Sequence, residues 1–191
     1  MAIKLVNISK NYDDKIVLGN VSYQIKKDVT TCIMGPSGSG KTTLLRIMMG
    51  LETPDGGEII GLEQMQKSVV FQEDRLCENL TVSANIKLAS RKPLAADQIL
   101  AAIKNVDLPL DCLKQTVRQL SGGQKRRVAI LRALMTEYDI LFMDEPFKGL
   151  DVETKQQVMN YVKKATSKKT VIIVTHDELE SQMMSDEVIY I

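Results

Sequence analysis

The stretch Val29-Thr30-Thr31-Cys32-Ile33-Met34-Gly35-Pro36-Ser37-Gly38-Ser39-Gly40-Lys41-Thr42-Thr43 decides how the rest of the chain is read. Val29 to Met34 is a β-branched, apolar run of strand length. It leads directly into Gly35 to Thr42, which fits the pattern G-x-x-x-x-G-K-[ST]. A helix is expected to begin near Lys41, with Leu44, Ile47 and Met48 at helical spacing and Gly50 ending it. A strand, a glycine-rich turn and a helix in that order aim backbone N–H groups of a helix N-terminus at one point, which suits an anion. The glycines let the chain wrap a phosphate closely. Lys41 brings a charge that reaches the terminal phosphates, and Thr42 offers a hydroxyl to Mg2+. A nucleoside triphosphate satisfies all three.

Outward from this stretch, strand-like runs recur at Ile3 to Ile8, Ile16 to Ile25, Lys67 to Phe71, Ile140 to Met143, Thr170 to Val174 and Val188 to Ile191. Helical spacing separates several of them, as at Val158, Tyr161 and Val162, with Asp151 placed to cap that helix. Alternating strands and helices predict an α/β domain. From Glu73 to Glu137 the alternation stops, and patterns such as Ala96, Ile99, Ile103 and Val106 predict a helical insertion. Pro54-Asp55-Gly56-Gly57 reads as a surface turn.

Length and composition bound the function classes. The 191 residues, 44% hydrophobic and 26% charged, suit one folded domain rather than a disordered chain or two domains. Lys+Arg number 25 against 24 Asp+Glu, and a net charge of +1 is too balanced for broad neutralisation of nucleic-acid phosphates. No apolar run approaches the ~20 residues of a membrane span, and the first residues carry no secretory signal. Cys32, Cys77 and Cys112 are odd in number and widely spaced, which suits a reducing cytosol better than a disulfide framework.

A second carboxylate motif closes the run Ile140-Leu141-Phe142-Met143-Asp144-Glu145. A wholly apolar strand, buried on both faces, delivers two acids at its C-terminal edge, where parallel sheets place ligands. Asp144 is suited to hold Mg2+ and Glu145 to orient or deprotonate an attacking water.

These two motifs fix the ligand but not the family. Leu120-Ser121-Gly122-Gly123-Gln124 does more, because it resembles the signature of the ATP-binding cassette (ABC) family. On physical grounds alone Ser121 can N-cap the helix through Val128 and Leu131, and its two glycines leave N–H groups uncovered, which makes a second anion site. The resemblance implies a head-to-tail dimer in which Ser121, Gly122, Gly123 and Gln124 of one chain close on ATP held at Gly35 to Thr43 of the other. Gln72 resembles the family's glutamine near Mg2+ and the water. His176, the single histidine of the chain, resembles the histidine that contacts the γ-phosphate. Tyr12 resembles the aromatic that stacks on adenine, and Asp151 the interface aspartate of Gly149-Leu150-Asp151, which also suits a plain N-cap.

The resemblance spans essentially the whole chain. It implies a P-loop NTPase core with a mostly parallel sheet over 1–72 and 137–191, an N-terminal antiparallel β portion, and a helical subdomain with the signature over 73–136. Two departures stand out. Lys148 puts a long cation where small residues commonly precede Leu-Asp, and the chain stops at Tyr190-Ile191, where cassettes usually continue, so a minimal or truncated cassette is expected.

The implied activity is Mg2+-dependent ATP hydrolysis by a peripheral subunit on the cytoplasmic side of the cell membrane. It would power import, rather than export, through separate transmembrane permease subunits. These are expected to dock near Gln72 to Ile86, where Leu76, Leu80 and Val82 offer apolar contacts. The alternative is a soluble ABC ATPase acting on nucleic acid or ribosomes, for which Lys125-Arg126-Arg127 is the local support. A nucleotide-binding module without turnover is a third class, and Glu145 together with His176 speaks against it.

Overall fold

Three short strands, β3 (Thr30–Met34), β6 (Ile140–Asp144) and β7 (Thr170–Val174), are buried at every residue in the computed structural model, which describes residues 2–191. Side chains alternate across a strand, so each of these runs serves two cores at once. Cys32 and Met34, Leu141 and Met143, and Val171 and Ile173 face one core; Ile33, Ile140 and Phe142, and Ile172 and Val174 face the other. Double burial is why the runs are continuously apolar rather than alternating.

With β5 (Lys67–Val70) and β8 (Glu187–Tyr190), these strands form a five-stranded sheet in the order β5-β6-β7-β3-β8. Every pairing in it is parallel. Helix α1 (Lys41–Met49) covers one face with Leu44, Leu45 and Met48, beneath a second, antiparallel sheet of β2 (Lys15–Ile25), β1 (Ile3–Tyr12) and β4 (Gly56–Ile60). Gly50 ends α1 in the left-handed conformation, with φ 78°, and its N–H donates to the carbonyls of Arg46 and Ile47.

Strand β4 differs from the sequence expectation, which placed a surface turn at Pro54 to Gly57. Its residues are exposed or half-exposed, so no apolar alternation marks it. Pairing holds it instead: Lys4, Leu5 and Val6 stand opposite Ile60, Ile59 and Glu58. The Asp55 carboxylate locks the preceding turn by accepting from the Asn11 N–H at 2.7 Å and from Lys10 Nζ at 3.0 Å.

Between β5 and β6 the chain forms α2 (Val82–Leu88), α3 (Ala96–Asn105), two short 3-10 turns at Leu110–Lys114 and Val117–Gln119, and α4 (Gly122–Leu134). The remaining helices are α5 (Val152–Ala165) and α6 (Glu178–Met184). Thr81, Ser121 and Asp151 cap α2, α4 and α5 with side-chain oxygens.

Val82 and Ile86 are fully buried, packed with Ile103 and Val128, and Leu76 leans on the same core. The first turn of α2 therefore faces inward, and of the three residues expected at a docking surface only Leu80 is exposed. No helix among the described residues is long and apolar enough to cross a membrane.

Candidate functional site

Parallel pairing of β3, β5, β6 and β7 brings their C-terminal ends to one edge of the sheet. The glycine-rich loop leaves β3 there, Gln72 follows β5, Asp144 and Glu145 end β6, and His176 follows β7. Such an edge is where open α/β sheets hold ligands. Here it opens into a cleft of about 1170 Å³ lined by Tyr12, Gly35 to Gly38, Gly40 to Thr43, Gln72, Glu145, Lys148 and His176.

The loop is shaped by close approach. Gly40 has φ 96°, and a Cβ there would lie 2.7 Å from Leu18 Cδ2 and 2.8 Å from the Val17 carbonyl, so no other residue fits without displacing β2. As the N-cap of α1 it supplies no side-chain acceptor, and the first turn of α1 holds no acid. The helix N–H groups and the positive end of its dipole are thus left to the cleft. Lys41 is buried, and its Nζ donates to the carbonyls of Gly35 at 2.8 Å and Pro36 at 2.7 Å. Folded back over the loop, the ammonium keeps one N–H for a ligand. Ser39 sits behind the loop, its Oγ buried and without a hydrogen-bond partner.

Across the cleft Thr42 Oγ1 donates to Asp144 Oδ1 at 3.3 Å, a long bond between hard oxygen donors. Burial raises the Asp144 carboxyl above its ordinary value, opposed by the Thr42 hydrogen bond. No cluster of three or more His, Cys, Asp or Glu suited to a metal occurs among the described residues. One carboxylate and one hydroxyl do fit Mg2+, which is commonly bound through one or two carboxylates together with substrate phosphates and water.

Glu145 follows with a left-handed backbone, φ 43°, fixed by its N–H donating to the Val174 carbonyl at 2.8 Å. A non-glycine residue held at positive φ marks a place where the surroundings impose the conformation. Its Oε1 lies 3.0 Å from His176 Nδ1 and its Oε2 lies 3.2 Å from Lys148 Nζ. Burial acts to raise this carboxyl, but the Lys148 ammonium and His176 prevail and hold it below the usual carboxylate range.

Tyr12 ends β1 at the mouth of the cleft, 43% exposed, with Lys10 Nζ 5.5 Å from its ring centroid. Tyr23, the other aromatic in this region, donates its hydroxyl to the Tyr190 carbonyl at 2.8 Å and takes part in packing. The hairpin residues Asp13, Asp14 and Lys15 also line the cleft. Sequence reading passed over them, although their place beside Tyr12 in a tight turn was a usable signal.

Ser121, Gly122, Gly123 and Gln124 lie away from this cleft, at the N-terminus of α4. Ser121 and Gln124 form a capping box: the Gln124 N–H donates to Ser121 Oγ at 3.3 Å and the Ser121 N–H to Gln124 Oε1 at 2.9 Å. Gly122 is exposed, with nothing within 4 Å of where a Cβ would stand. The basic residues that follow are turned inward or paired. Arg126 donates to the carbonyls of Phe71 and Gln72, Arg127 to those of Gly123 and Val106, and Lys125 pairs with Glu78 at 3.0 Å. They form struts rather than a basic face.

Comparison with known proteins places this geometry among relatives. A family model described as ABC transporter matches residues 18–148. The chain is 38% identical to the aliphatic sulfonates import ATP-binding protein SsuB 3 of Rhodococcus jostii, over 99% of this chain and 70% of that protein. It is 37% identical to the spermidine/putrescine import ATP-binding protein PotA of Acetivibrio thermocellus, over 99% of this chain but only 58% of that one. Among solved structures, the dimeric post-hydrolysis state of the ATP-binding cassette MJ0796 bound to ADP and Pi is similar with a TM-score of 0.85. The identity is 32%, and the match covers 99% of this chain and 94% of that one.

Proposed function

Because this chain belongs to the ABC transporter family, we propose that it is the ATP-hydrolysing subunit of an importer, acting through separate transmembrane permease subunits. The observation that carries this reading is the convergence of Lys41, Thr42, Gln72, Glu145 and His176 on one cleft at the C-terminal edge of a parallel sheet. A nucleotide laid along the loop would have its phosphates under the α1 N-terminus and Lys41, with adenine against Tyr12, a contact that needs a π face but no base-specific hydrogen bond.

Thr42 and Asp144, with Gln72 beside them, would hold Mg2+, whose charge when bound offsets that of the β- and γ-phosphates. Glu145 is the general base, its carboxylate taking a proton from the attacking water, a role typically worth ~10² to 10⁴ in rate. His176 fixes the Glu145 carboxylate through Oε1 and reaches the γ-phosphate.

Residues 73–136 act within the same single domain as an arm that carries the second anion site. Gly122 and its neighbours complete the ATP site of a second copy, head to tail, so that binding drives closure and hydrolysis reopening. The relatives named for sulfonates and for polyamines match this chain almost equally, which supports a cargo chosen by the permease rather than by this subunit. The chain then works at the cytoplasmic face of the cell membrane as a peripheral protein. The soluble alternative on nucleic acid or ribosomes lacks its local support, since Arg126 and Arg127 are spent on internal carbonyls.

A pull-down from native membranes tests the assignment. Recovery of a multi-span permease is expected; recovery of ribosomes or DNA-repair proteins without one would overturn it.

A further inference from the structure

Lys148 lines the cleft together with the loop lysine Lys41 and the hairpin lysine Lys15, and it belongs to neither nucleotide motif. It sits at the end of a short turn: its N–H donates to the Glu145 carbonyl at 3.3 Å, and Gly149, at φ 79° with open space around it, follows. The ammonium is 3.2 Å from Glu145 Oε2. Contact is by charge rather than by an aligned hydrogen bond, because Oε2 is buried yet accepts none. The other oxygen, by contrast, is engaged by His176 at 3.0 Å.

This arrangement is awkward for a carboxylate that must take a proton from water, since a cation stands on the oxygen that His176 leaves free. The lysine is poorly anchored. Its side chain is 57% exposed, where water screens an ion pair and weakens it, and its flexible stem lets the ammonium swing across the cleft. A phosphate group is a stronger competitor than the carboxylate, because it carries more charge and several acceptor oxygens.

We propose that Lys148 is a ligand of the nucleotide's terminal phosphate, exchanging Glu145 Oε2 for it when a triphosphate enters the cleft. Two effects follow from one movement. The terminal phosphate gains a cation from its own chain, and Glu145 Oε2 becomes available to water only when there is a γ-phosphate to attack. ADP, lacking that phosphate, leaves the ion pair intact. The inference rests on the reading of the cleft as an ATP site and adds a discriminator between ATP and ADP to it.

The test compares binding of ADP and of a non-hydrolysable ATP analogue, by fluorescence with Mg2+ present, in the unmodified chain and in Lys148→Met and Lys148→Arg. The Met variant keeps the length of the stem without the charge, and thermal melts confirm that each variant folds. Expected is an approximately tenfold loss of affinity for the analogue in Lys148→Met. ADP binding should stay within about twofold, and Lys148→Arg should recover most of the loss. Equal affinity of the analogue for the Met variant and the unmodified chain would overturn the proposal while leaving the ATP site intact. So would parallel losses for both nucleotides. Failure of the unmodified chain to bind either nucleotide would instead remove the ATP-site reading, and the proposal with it.

Discussion

Arg126 Nη1 donates to the main-chain carbonyl of Phe71 at 2.7 Å, which ties the helix capped by Ser121 to the residue just before Gln72. The other terminal nitrogen of the guanidinium reaches the Gln72 carbonyl, and Nε lies 3.3 Å from Asp74 Oδ1. A planar group with several donors is suited to holding two carbonyls of one loop while its charge faces Asp74. The cleft at the sheet edge and the start of α4, the two places proposed to meet nucleotide, are thereby connected through a single buried side chain.

Replacing that side chain should be costly. Arg126→Met keeps the apolar stem but strands two carbonyls and leaves Asp74 without its nearest cation, so a loss of about 1.5 to 3 kcal/mol is expected from charge-assisted hydrogen bonds of this kind. Urea denaturation measures it. Arg126→Lys, with one point of charge, should recover only part, and a full recovery would mean that geometry at this strut is unimportant.

Lys41→Ala should abolish ATP binding. The buried ammonium is fixed over the loop by the Gly35 and Pro36 carbonyls, so no neighbouring cation occupies its position. A fluorescence or filter assay is expected to show a loss of about a hundredfold or more, in line with removal of a charge-assisted contact at a desolvated site. Undiminished binding would remove the loop from the nucleotide site.

Much of this arrangement was legible in the sequence, and the parts that were share a physical reason. The β3 strand, its glycine loop and α1 are contiguous, and so are β6 with its two terminal acids, so local pattern was enough. Gly50, Ser121 and Asp151 declared helix ends because caps are local chemistry. Strand β4 was not legible, since its partner β1 lies far back in the chain and its own side chains are largely exposed. Val82 looked like a surface contact, but the fold of α2 against α4 buries it. The contact of Lys148 with Glu145 likewise depends on the left-handed turn at Glu145, which nothing in the residue types announced.

Glu145→Gln should bind ATP, fail to hydrolyse it and accumulate a dimer. The amide is close in shape and still accepts from His176, but it takes no proton from water at neutral pH. A fall in turnover of ~10² to 10⁴ is expected, together with an ATP-dependent shift to twice the mass by size-exclusion chromatography. Normal turnover would show that the base is elsewhere.

Thr42→Val tests the metal assignment. It keeps the volume and removes the hydroxyl that now donates to Asp144 at 3.3 Å. Chelation of Mg2+ should stop hydrolysis in the unmodified chain, and in Thr42→Val the Mg2+ concentration for half-maximal rate should rise. An unchanged Mg2+ requirement would exclude Thr42 as a ligand.

Gly122→Asp separates a role within the chain from a role across a dimer. A side chain at this position meets nothing within 4 Å, so the folded monomer has room for it. Position also favours an acid: Gly122 is the first residue of α4, whose opening turn carries none. A carboxylate there should stabilise the helix through its dipole by about 0.3 to 1 kcal/mol, in addition to what leaving glycine behind contributes. The monomer is therefore expected to melt at the same temperature or higher. Across a head-to-tail interface the same carboxylate would face the γ-phosphate held by the partner, where like charges at short range repel strongly in a site closed to water. ATP binding to the separate chain should persist while the ATP-dependent dimer of the Glu145→Gln background is lost. If the double variant still dimerises with ATP, the α4 N-terminus does not close the partner's site, and the head-to-tail arrangement must be abandoned.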